Sequence, residues 1–216
     1  MLNPFVFTPL VDTETRFVAN SDSIQVFAEV EVGDVLVLCD SCINFIGTPT
    51  DVVPTGFTSI TTSVLGGTRC TISYKIADGT EDGTDLHGLG GDGGGLEWAN
   101  KILLQFRMPP VTSVATSDVN AEITTGAPVI QTISEVAPAE QRIVIASYCA
   151  SGGSLGVTTA TFEPPENKVI DNLGAGMAQQ VRVKFCQAGD DFSFDVGMDD
   201  EFAVNCLQSA IIAPSP

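Results

Sequence analysis

Apolar and polar residues alternate strictly along several stretches of this chain. The pattern is best developed at 69–76 (RCTISYKI), where apolar residues hold the even positions and polar residues the odd ones. Two further stretches, 24–32 and 180–186, show the same period of two. Side chains of a β-strand point alternately to its two faces, so this period predicts strands with one buried and one solvated face.

Seven shorter stretches complete the set of predicted strands. They are 34–39, 57–63, 101–107, 142–149, 157–162, 192–196 and 202–212. These stretches are rich in Val, Ile, Thr and Phe and are separated by turns that contain Gly and Pro, as in β-sandwiches and jelly rolls. Helical periodicity is weak, although 96–104 and 174–180 could each form one turn. The sequence therefore predicts an all-β fold, an antiparallel β-sandwich or jelly roll with little helix.

The length of 216 residues suits one domain of this kind, because β-sandwiches often reach this size as a single unit. We therefore expect one β-sandwich domain over residues 1–216. Residues 1–15 are poor in strand signals and are interpreted either as an extended N-terminal arm that crosses a neighbouring subunit or as a disordered terminus. The two halves share a loosely similar order of strand types, which leaves open a common hairpin rhythm and a true duplication.

Charge and cysteine content narrow the function classes. The chain has 27 acidic and nine basic residues and a formal net charge of -18, which a phosphate backbone would repel. We therefore exclude nucleic acid as the main partner, and no apolar run predicts a membrane span or a signal peptide. Six cysteines in a chain of this length are too sparse for a disulfide scaffold, so we expect reduced thiols.

Two short motifs suggest chemistry but lack its context. Residues 152–156 (GGSLG) match the nucleophile elbow G-x-S-x-G, yet the sequence that follows cannot supply the helix that an elbow requires. The single histidine, His87, precedes Ser154, against the serine, acid, histidine order of that fold. Cys39 and Cys42 have C-x-x-C spacing, but no second motif completes a zinc or redox site. We predict no enzyme activity, no catalytic residue and no cofactor.

The segment 78–95 is the most unusual part of the chain, with eight glycines and five carboxylates. Carboxylate oxygens on a flexible loop are typical calcium ligands. The weak calcium candidates are Asp78, Glu81, Asp82, Asp85 and Asp92. The glycines depart from the calcium-binding repeat pattern, so contact with a partner and plain solvation are the alternative interpretations of this loop.

Most of the nine basic residues lie in predicted strands, whereas many acidic residues lie in loops. The basic residues either solvate the outward strand positions or form a sheet face that meets the acidic loop of a neighbouring copy. On the second hypothesis the candidate partner contacts are Arg69, Lys75, Arg182 and Lys184 on strands and Asp82, Asp85, His87 and Asp92 in the loop. A second acidic cluster, at 190–201, is interpreted as a solvated segment.

Four sequence elements follow one another between residues 33 and 107. They are 33–38 (GDVLVL), 54–58 (PTGFT), 74–81 (YKIADGTE) and 104–107 (LQFR). This order resembles a series found in β-sandwich virion proteins of tailed bacteriophages, namely "GD-apolar", "P-x-G-aromatic-T", "YK-x-A-x-G-x-E" and "FRG", with Met108 in place of the last glycine. The resemblance implies a component of the virion surface that is assembled in the host cytoplasm.

Within that class we predict a capsid decoration or cement protein on the outer surface of a tailed-phage head. Its expected partners are its own copies, as a homo-oligomer, and other virion proteins, above all the major capsid protein. Heptads and collagen-like repeats, which a fibre would need, do not occur in the sequence. The alternative is a tail-associated receptor-binding or lectin-like module.

Overall fold

The computed structural model describes fourteen stretches of the chain. They are 14–19, 24–44, 53–65, 67–86, 97–107, 114–118, 122–125, 129–135, 142–151, 160–163, 168–174, 177–186, 190–198 and 204–214. Within these stretches there is no helix, and every paired strand runs antiparallel to its neighbour. The predicted all-β, antiparallel fold is confirmed. The same residues hold no helix that is long and apolar enough to serve as a membrane span.

The described residues form sixteen strands. In chain order they are β1 (Glu14–Ala19), β2 (Ile24–Gln25), β3 (Val35–Asn44), β4 (Thr58–Leu65), β5 (Thr68–Ile76), β6 (Asp85–Leu86), β7 (Glu97–Phe106), β8 (Val114–Asp118), β9 (Glu122–Thr125), β10 (Val129–Glu135), β11 (Arg142–Ser151), β12 (Ala160–Glu163), β13 (Lys168–Gly174), β14 (Met177–Cys186), β15 (Phe192–Met198) and β16 (Val204–Pro214).

The two larger sheets share one topology, and each is built from one half of the chain. The first sheet has the order β1-β7-β3-β5-β4, and the second has the order β8-β16-β11-β14-β13, with β9 also paired to β16. In chain order, the strands of the two sheets take the same positions: one edge (β1, β8), the centre (β3, β11), the far edge (β4, β13) and the neighbour of that edge (β5, β14). The last strand (β7, β16) then lies between the first edge and the centre. The insertions correspond too, because β2 pairs with β6 and β10 pairs with β15 at equivalent points. This agreement supports the duplication that the sequence left open.

The two sheets also face each other symmetrically. At the edges β1 contacts β13, and β4 contacts β8 and β9. Nearer the centre β7 contacts β14 and β5 contacts β16, while β3 meets β11 in the middle. Most of these contacts therefore occur as symmetric pairs, since β1–β13 corresponds to β4–β8 and β7–β14 corresponds to β5–β16, as in an isologous dimer.

One apolar cluster lies between the two sheets. From the first sheet it contains Val35, Val37, Cys39, Ile72, Ile102, Leu104 and Phe106, and from the second Ile143, Ile145, Val181, Val183, Ala210 and Ile212. On each strand these residues are two positions apart, so the alternation in the sequence corresponds to one face of a strand. Both halves of the chain therefore contribute to one apolar cluster.

The predicted strand at 24–32 is wrong beyond its first two residues. The strand β2 ends at Gln25, and the stretch that follows packs against the outer face of the first sheet. The buried residues of this contact are Ile24, Val26, Val30, Leu36, Leu38, Ala77 and Leu103. The backbone of the stretch bonds to loop atoms instead of a sheet ladder, as in the 2.8 Å hydrogen bond from Val26 N to Thr84 O. In this stretch the alternation of apolar and polar residues arises because one side of a non-strand segment packs onto the sheet.

The covering of this outer face also corrects the prediction of half-buried strands. On β5, Thr71 and Ser73 point away from the shared core, yet they are only 3% and 1% exposed. On β3, nine of the ten residues are buried on both faces of the strand. The pattern of residue types therefore marks which face is apolar, and not which face meets solvent.

The predicted helical turns are wrong where the structure describes them, because 97–104 lies in β7, Gly174 ends β13 and 177–180 lies in β14. Six further strands, β1, β6, β8, β9, β10 and β13, lie where none was predicted. They have only one to three Val, Ile, Leu or Ala residues each, which is too few for an alternation to be recognised. The predicted arm overlaps β1 at Glu14 and Thr15, and residues 1–13 lie outside the described part of the chain.

Candidate functional site

The four elements of the resemblance come together at one end of the first sheet, which we call the motif corner (Gly33, Asp34, Gly56, Lys75, Glu81 and Arg107). Asp34, just before β3, is 2% exposed and accepts hydrogen bonds from Arg107 Nε (3.1 Å) and Gln105 Nε2 (2.7 Å). Gly33 N donates to Ala77 O (2.9 Å). The "GD" element is thus joined directly to both the "FR" and the "YK-x-A" elements.

The remaining elements meet at Lys75. Its Nζ lies 2.6 Å from Glu81 Oε1, and its stem runs beside Gly56, where a Cβ would lie 3.5 Å from Lys75 Cδ. Glu81 is 3% exposed and also accepts hydrogen bonds from the backbone N–H groups of Asp78 (3.1 Å) and Gly79 (2.9 Å). Every element of the series therefore has a structural role in closing this corner.

The Lys75–Glu81 pair makes stability depend on pH. Burial alone would raise the pKa of Glu81, but the hydrogen bond from Lys75 and the backbone N–H of Asp78 lower this pKa overall. Burial would lower the pKa of Lys75, yet its contacts with Glu81 raise it. Glu81 therefore contributes stability above its unfolded pKa of about 4.3, and this contribution is lost as the pH falls through its lower folded pKa. The contribution of Lys75 is complete below about 10.4 and is lost as the pH rises through its raised pKa.

We expect the variant Lys75→Met to be less stable than the wild-type chain at neutral pH. The difference should shrink as the pH falls through the folded pKa of Glu81, because the protonated carboxyl no longer pairs with the lysine. Urea unfolding at a series of pH values measures both effects. The stability difference between Glu81→Gln and the wild-type chain should shrink over the same pH range. A difference that stays constant through the acid range would mean that Lys75 acts only through the packing of its stem.

A glycine at the motif corner provides a second prediction. Gly79 has a φ of +87°, and an added Cβ would lie 2.9 Å from Val32 Cγ2. Gly83 also has a positive φ, +61°, but a Cβ there would have no atom within 4 Å. Gly79→Ala should therefore cost more than Gly83→Ala, which bears only the backbone cost of about 1 kcal/mol. Equal losses in the free energy of unfolding would show that the contact with Val32 relaxes.

The calcium candidates do not form a common ligand set where the structure describes them. Glu81 is paired with Lys75, Asp78 Oδ1 accepts hydrogen bonds from Thr80, and Asp82 Oδ1 accepts the N–H of Val30 at 2.7 Å. Asp85 is exposed. It begins β6, a short strand within the segment 78–95. Asp92 and His87 lie outside the described residues. The hydrogen bonds and ion pair of Asp78, Glu81 and Asp82 therefore stabilise the loop that carries these carboxylates.

The basic candidates occupy different environments. Arg182 is 2% exposed, so its guanidinium is buried within this chain. Lys184 Nζ donates to Asp191 O (2.8 Å), and Arg142 Nη2 donates to Asp190 O (2.9 Å), just before β15. Lys75 is bound to Glu81, and Arg69 is partly exposed. Lys184 and Arg142 therefore hold the segment before β15 against the second sheet, and Lys75 holds the loop that carries Glu81.

The other notable region is a polar layer between the two larger sheets, next to the apolar cluster. Across the first sheet it contains the cross-strand row Asn100, Ser41 and Cys70, and across the second the row Cys206, Cys149 and Gln179. All six side chains are at most 3% exposed. Polar groups at such depth require hydrogen bonds, and Gln179 Nε2 indeed donates to Cys39 O of the opposite sheet at 3.1 Å.

Three sulfur atoms meet in this polar layer. Those of Cys70, Cys149 and Cys206 all lie within 4.8 Å of one another, and Cys70 and Cys149 form a disulfide between the sheets. The expectation of reduced thiols is therefore wrong for this pair, because two sparse cysteines face each other across the core. The other four cysteines form no disulfide and are buried. We call Cys70, Cys149 and Cys206 the cysteine cluster.

The C-x-x-C motif has no part in the cysteine cluster. Cys39 and Cys42 both lie within β3, where an odd separation places the two side chains on opposite faces of the strand. Sequence reasoning missed the actual cluster because Cys70 and Cys149 are 79 residues apart. Only the register of β11 and β16, which pairs Cys149 with Cys206, would have shown it.

The free thiols with a resolved shift have raised pKa values. Burial raises the pKa of Cys39 to about 12, in spite of a hydrogen bond with Ser147, and burial also raises that of Cys186. Such thiols are largely protonated at neutral pH and are poor nucleophiles. Residues 152–156 and His87, which the elbow motif would use, lie outside the described part of the chain.

Comparisons with known proteins return no match. No protein-family model, no curated protein and no solved structure is similar enough to this chain to identify a family. Its function is therefore argued from its own residues.

Proposed function

We propose that this chain is a non-enzymatic structural protein of a tailed-phage virion, most specifically a decoration or cement protein on the outer surface of the head. The observation that carries the proposal is the motif corner. A chance series of short motifs would scatter over the fold, whereas these four elements contact one another through Asp34, Lys75 and Glu81. The resemblance thus rests on one connected structural unit.

The chemistry of the described residues agrees with a structural role. The carboxylates and cations with described partners bind backbone atoms or each other, as at Asp34 and Lys75, and they hold loops against the sheets. The thiols of Cys39 and Cys186 have raised pKa values. A rigid sandwich with tied loops is suited to repeated contacts with identical neighbours, and a net charge of -18 favours a surface turned away from packaged nucleic acid.

The test is to locate the protein on virus particles released by cells that carry the gene. Antibodies raised against the purified chain, coupled to gold, should label the head surface in negative-stain images of these particles. Gel densitometry should show many copies for each particle. Label confined to the tail would favour the receptor-binding alternative. Purified particles without the chain would overturn the proposal.

A further inference from the structure

The cysteine cluster brings ligands from both sheets to one point. Cys149 and Cys206 lie directly opposite each other on β11 and β16, and Cys70 reaches them from β5 of the facing sheet. The Cα atoms of Cys70 and Cys149 are 7.0 Å apart, at the upper limit of the distances that disulfides span. Directly opposite strand residues, such as Cys149 and Cys206, have Cα atoms about 4.5–5.5 Å apart.

The three sulfurs are close enough to bind one metal ion once the disulfide is reduced. A zinc ion bound by thiolates at about 2.3 Å holds its sulfur ligands about 4 Å from one another. In the structure the sulfurs of Cys70 and Cys149 are bonded to each other and that of Cys206 lies within 4.8 Å of both, so reduction needs to separate only one pair. Among the described residues this is the one group of three or more potential ligands that lie this close together.

The surroundings favour a thiophilic ion over a hard one. The neighbouring side chains of the polar layer are amides and hydroxyls, and thiolate ligands select zinc or monovalent copper. Gln208 Nε2 fixes the backbone beside one ligand, since it donates to Cys70 O at 3.1 Å and to Ser63 Oγ at 2.9 Å. The Oε1 atoms of Gln179 and Gln208 are buried and accept no hydrogen bond from the described residues, so acceptors for a water bound to such an ion lie in the same layer.

We propose that the reduced protein binds one thiophilic metal ion, of the Zn²⁺ or Cu⁺ class, through Cys70, Cys149 and Cys206. The ion joins the two sheets at the position where the disulfide joins them in the oxidised protein. Because the three side chains are at most 3% exposed, the ion enters while the sheets assemble, as structural metals commonly do. The site does not depend on the proposed virion role.

The disulfide and the metal exclude each other, because both use the sulfurs of Cys70 and Cys149. A dithiol reductant cleaves the disulfide and becomes a cyclic disulfide, and its two electrons and two protons leave Cys70 and Cys149 as thiols. One Zn²⁺ then displaces three thiol protons and leaves a site with a net charge of -1, or Cu⁺ leaves a charge of -2. The metal form therefore belongs to a reducing compartment.

The test uses the full chain refolded under a dithiol reductant with Zn²⁺ and freed of excess metal. Elemental analysis should find one ion for each chain, and X-ray absorption should find three sulfur ligands at about 2.3 Å. Refolding with Cd²⁺ alone as the probe should produce a thiolate-to-metal charge-transfer band. Cys206→Ser should lose the one-to-one binding, whereas the matched controls Cys42→Ser and Cys186→Ser, which are buried but outside the cluster, should keep it.

Several results would overturn the proposal. A folded, reduced wild-type chain without metal would do so, as would binding that Cys206→Ser leaves intact. Persistence of the Cys70–Cys149 disulfide after refolding under the reductant, read by mass spectrometry, would mean that the cluster is only a covalent link between the sheets. The X-ray absorption measurement needs no variant, so it decides the ligand count even if Cys206→Ser does not fold.

Discussion

Replacing Lys101 by methionine should lower the free energy of unfolding by about 3–5 kcal/mol, because it removes a cation that neutralises a buried carboxylate. Lys101 Nζ lies 3.7 Å from Asp40 Oδ1, and each side chain is only 2% exposed. The two residues are cross-strand neighbours on β7 and β3, on the outer face of the first sheet. Urea denaturation of the variant and the wild-type chain measures the loss.

The control for this prediction removes both charges. Lys101→Met combined with Asp40→Leu should recover most of the lost stability, because an apolar pair of similar volume carries no cost of desolvating an ion. If the double variant is as unstable as the single one, then Lys101 contributes through the packing of its stem or through other contacts. A loss below about 1 kcal/mol in the single variant, the range of a surface ion pair, would contradict the burial of this pair.

The variant Asp34→Ala should lose about 3 kcal/mol and loosen the whole motif corner, because buried donors would be left without their acceptor. Asp34 Oδ2 accepts from Gln105 Nε2 at 2.7 Å and from Glu31 N at 2.9 Å, and Gln105 is itself 2% exposed. The backbone amides of 29–34 should then exchange with solvent faster than in the wild-type chain. Hydrogen exchange and urea denaturation together test the prediction.

An exposed carboxylate of the same region provides the matched control. Asp85→Ala, at the start of β6, should change the stability by no more than about 0.5 kcal/mol, since this side chain lies in solvent. Asp34→Asn should remain unstable, because its amide group would direct a donor at Gln105 or Arg107. If Asp34→Ala were as stable as Asp85→Ala, the motif corner would not owe its shape to this carboxylate.

Three inner strands could be predicted from the sequence because their patterns are long and uninterrupted. Residues 69–76 fall within β5, 142–149 within β11 and 180–186 within β14. The alternating apolar residues of 69–76 and 180–186 lie on the face that meets the opposite sheet, whereas 142–149 has buried apolar residues on both faces, such as Ile143 and Val144. Alternation cannot, however, distinguish a strand from an irregular segment laid on a sheet, and this is why the stretch after Gln25 was misjudged.

The candidate sites could be predicted less well, since they depend on contacts distant in sequence. The motif series that ends at Arg107 could be recognised in the sequence. Its physical basis could be seen only in the structure, where Arg107 bonds to Asp34 (3.1 Å) and Lys75 pairs with Glu81 (2.6 Å). The cysteine cluster gave no local signal at all, because its sulfurs belong to three strands in two sheets. Burial of Arg182 was equally hidden, because alternation does not reveal what covers an outer face.

The matching strand orders of the two halves have a consequence for the cysteine cluster. In two identical sheets related by a twofold axis, every cysteine would occur twice and the number of sulfurs at their junction would be even. Here equivalent rows hold one cysteine in the first sheet and two in the second. Because one chain holds both sheets, the two halves need not be identical, and a centre with an odd number of sulfurs is possible where exact twofold symmetry would forbid it.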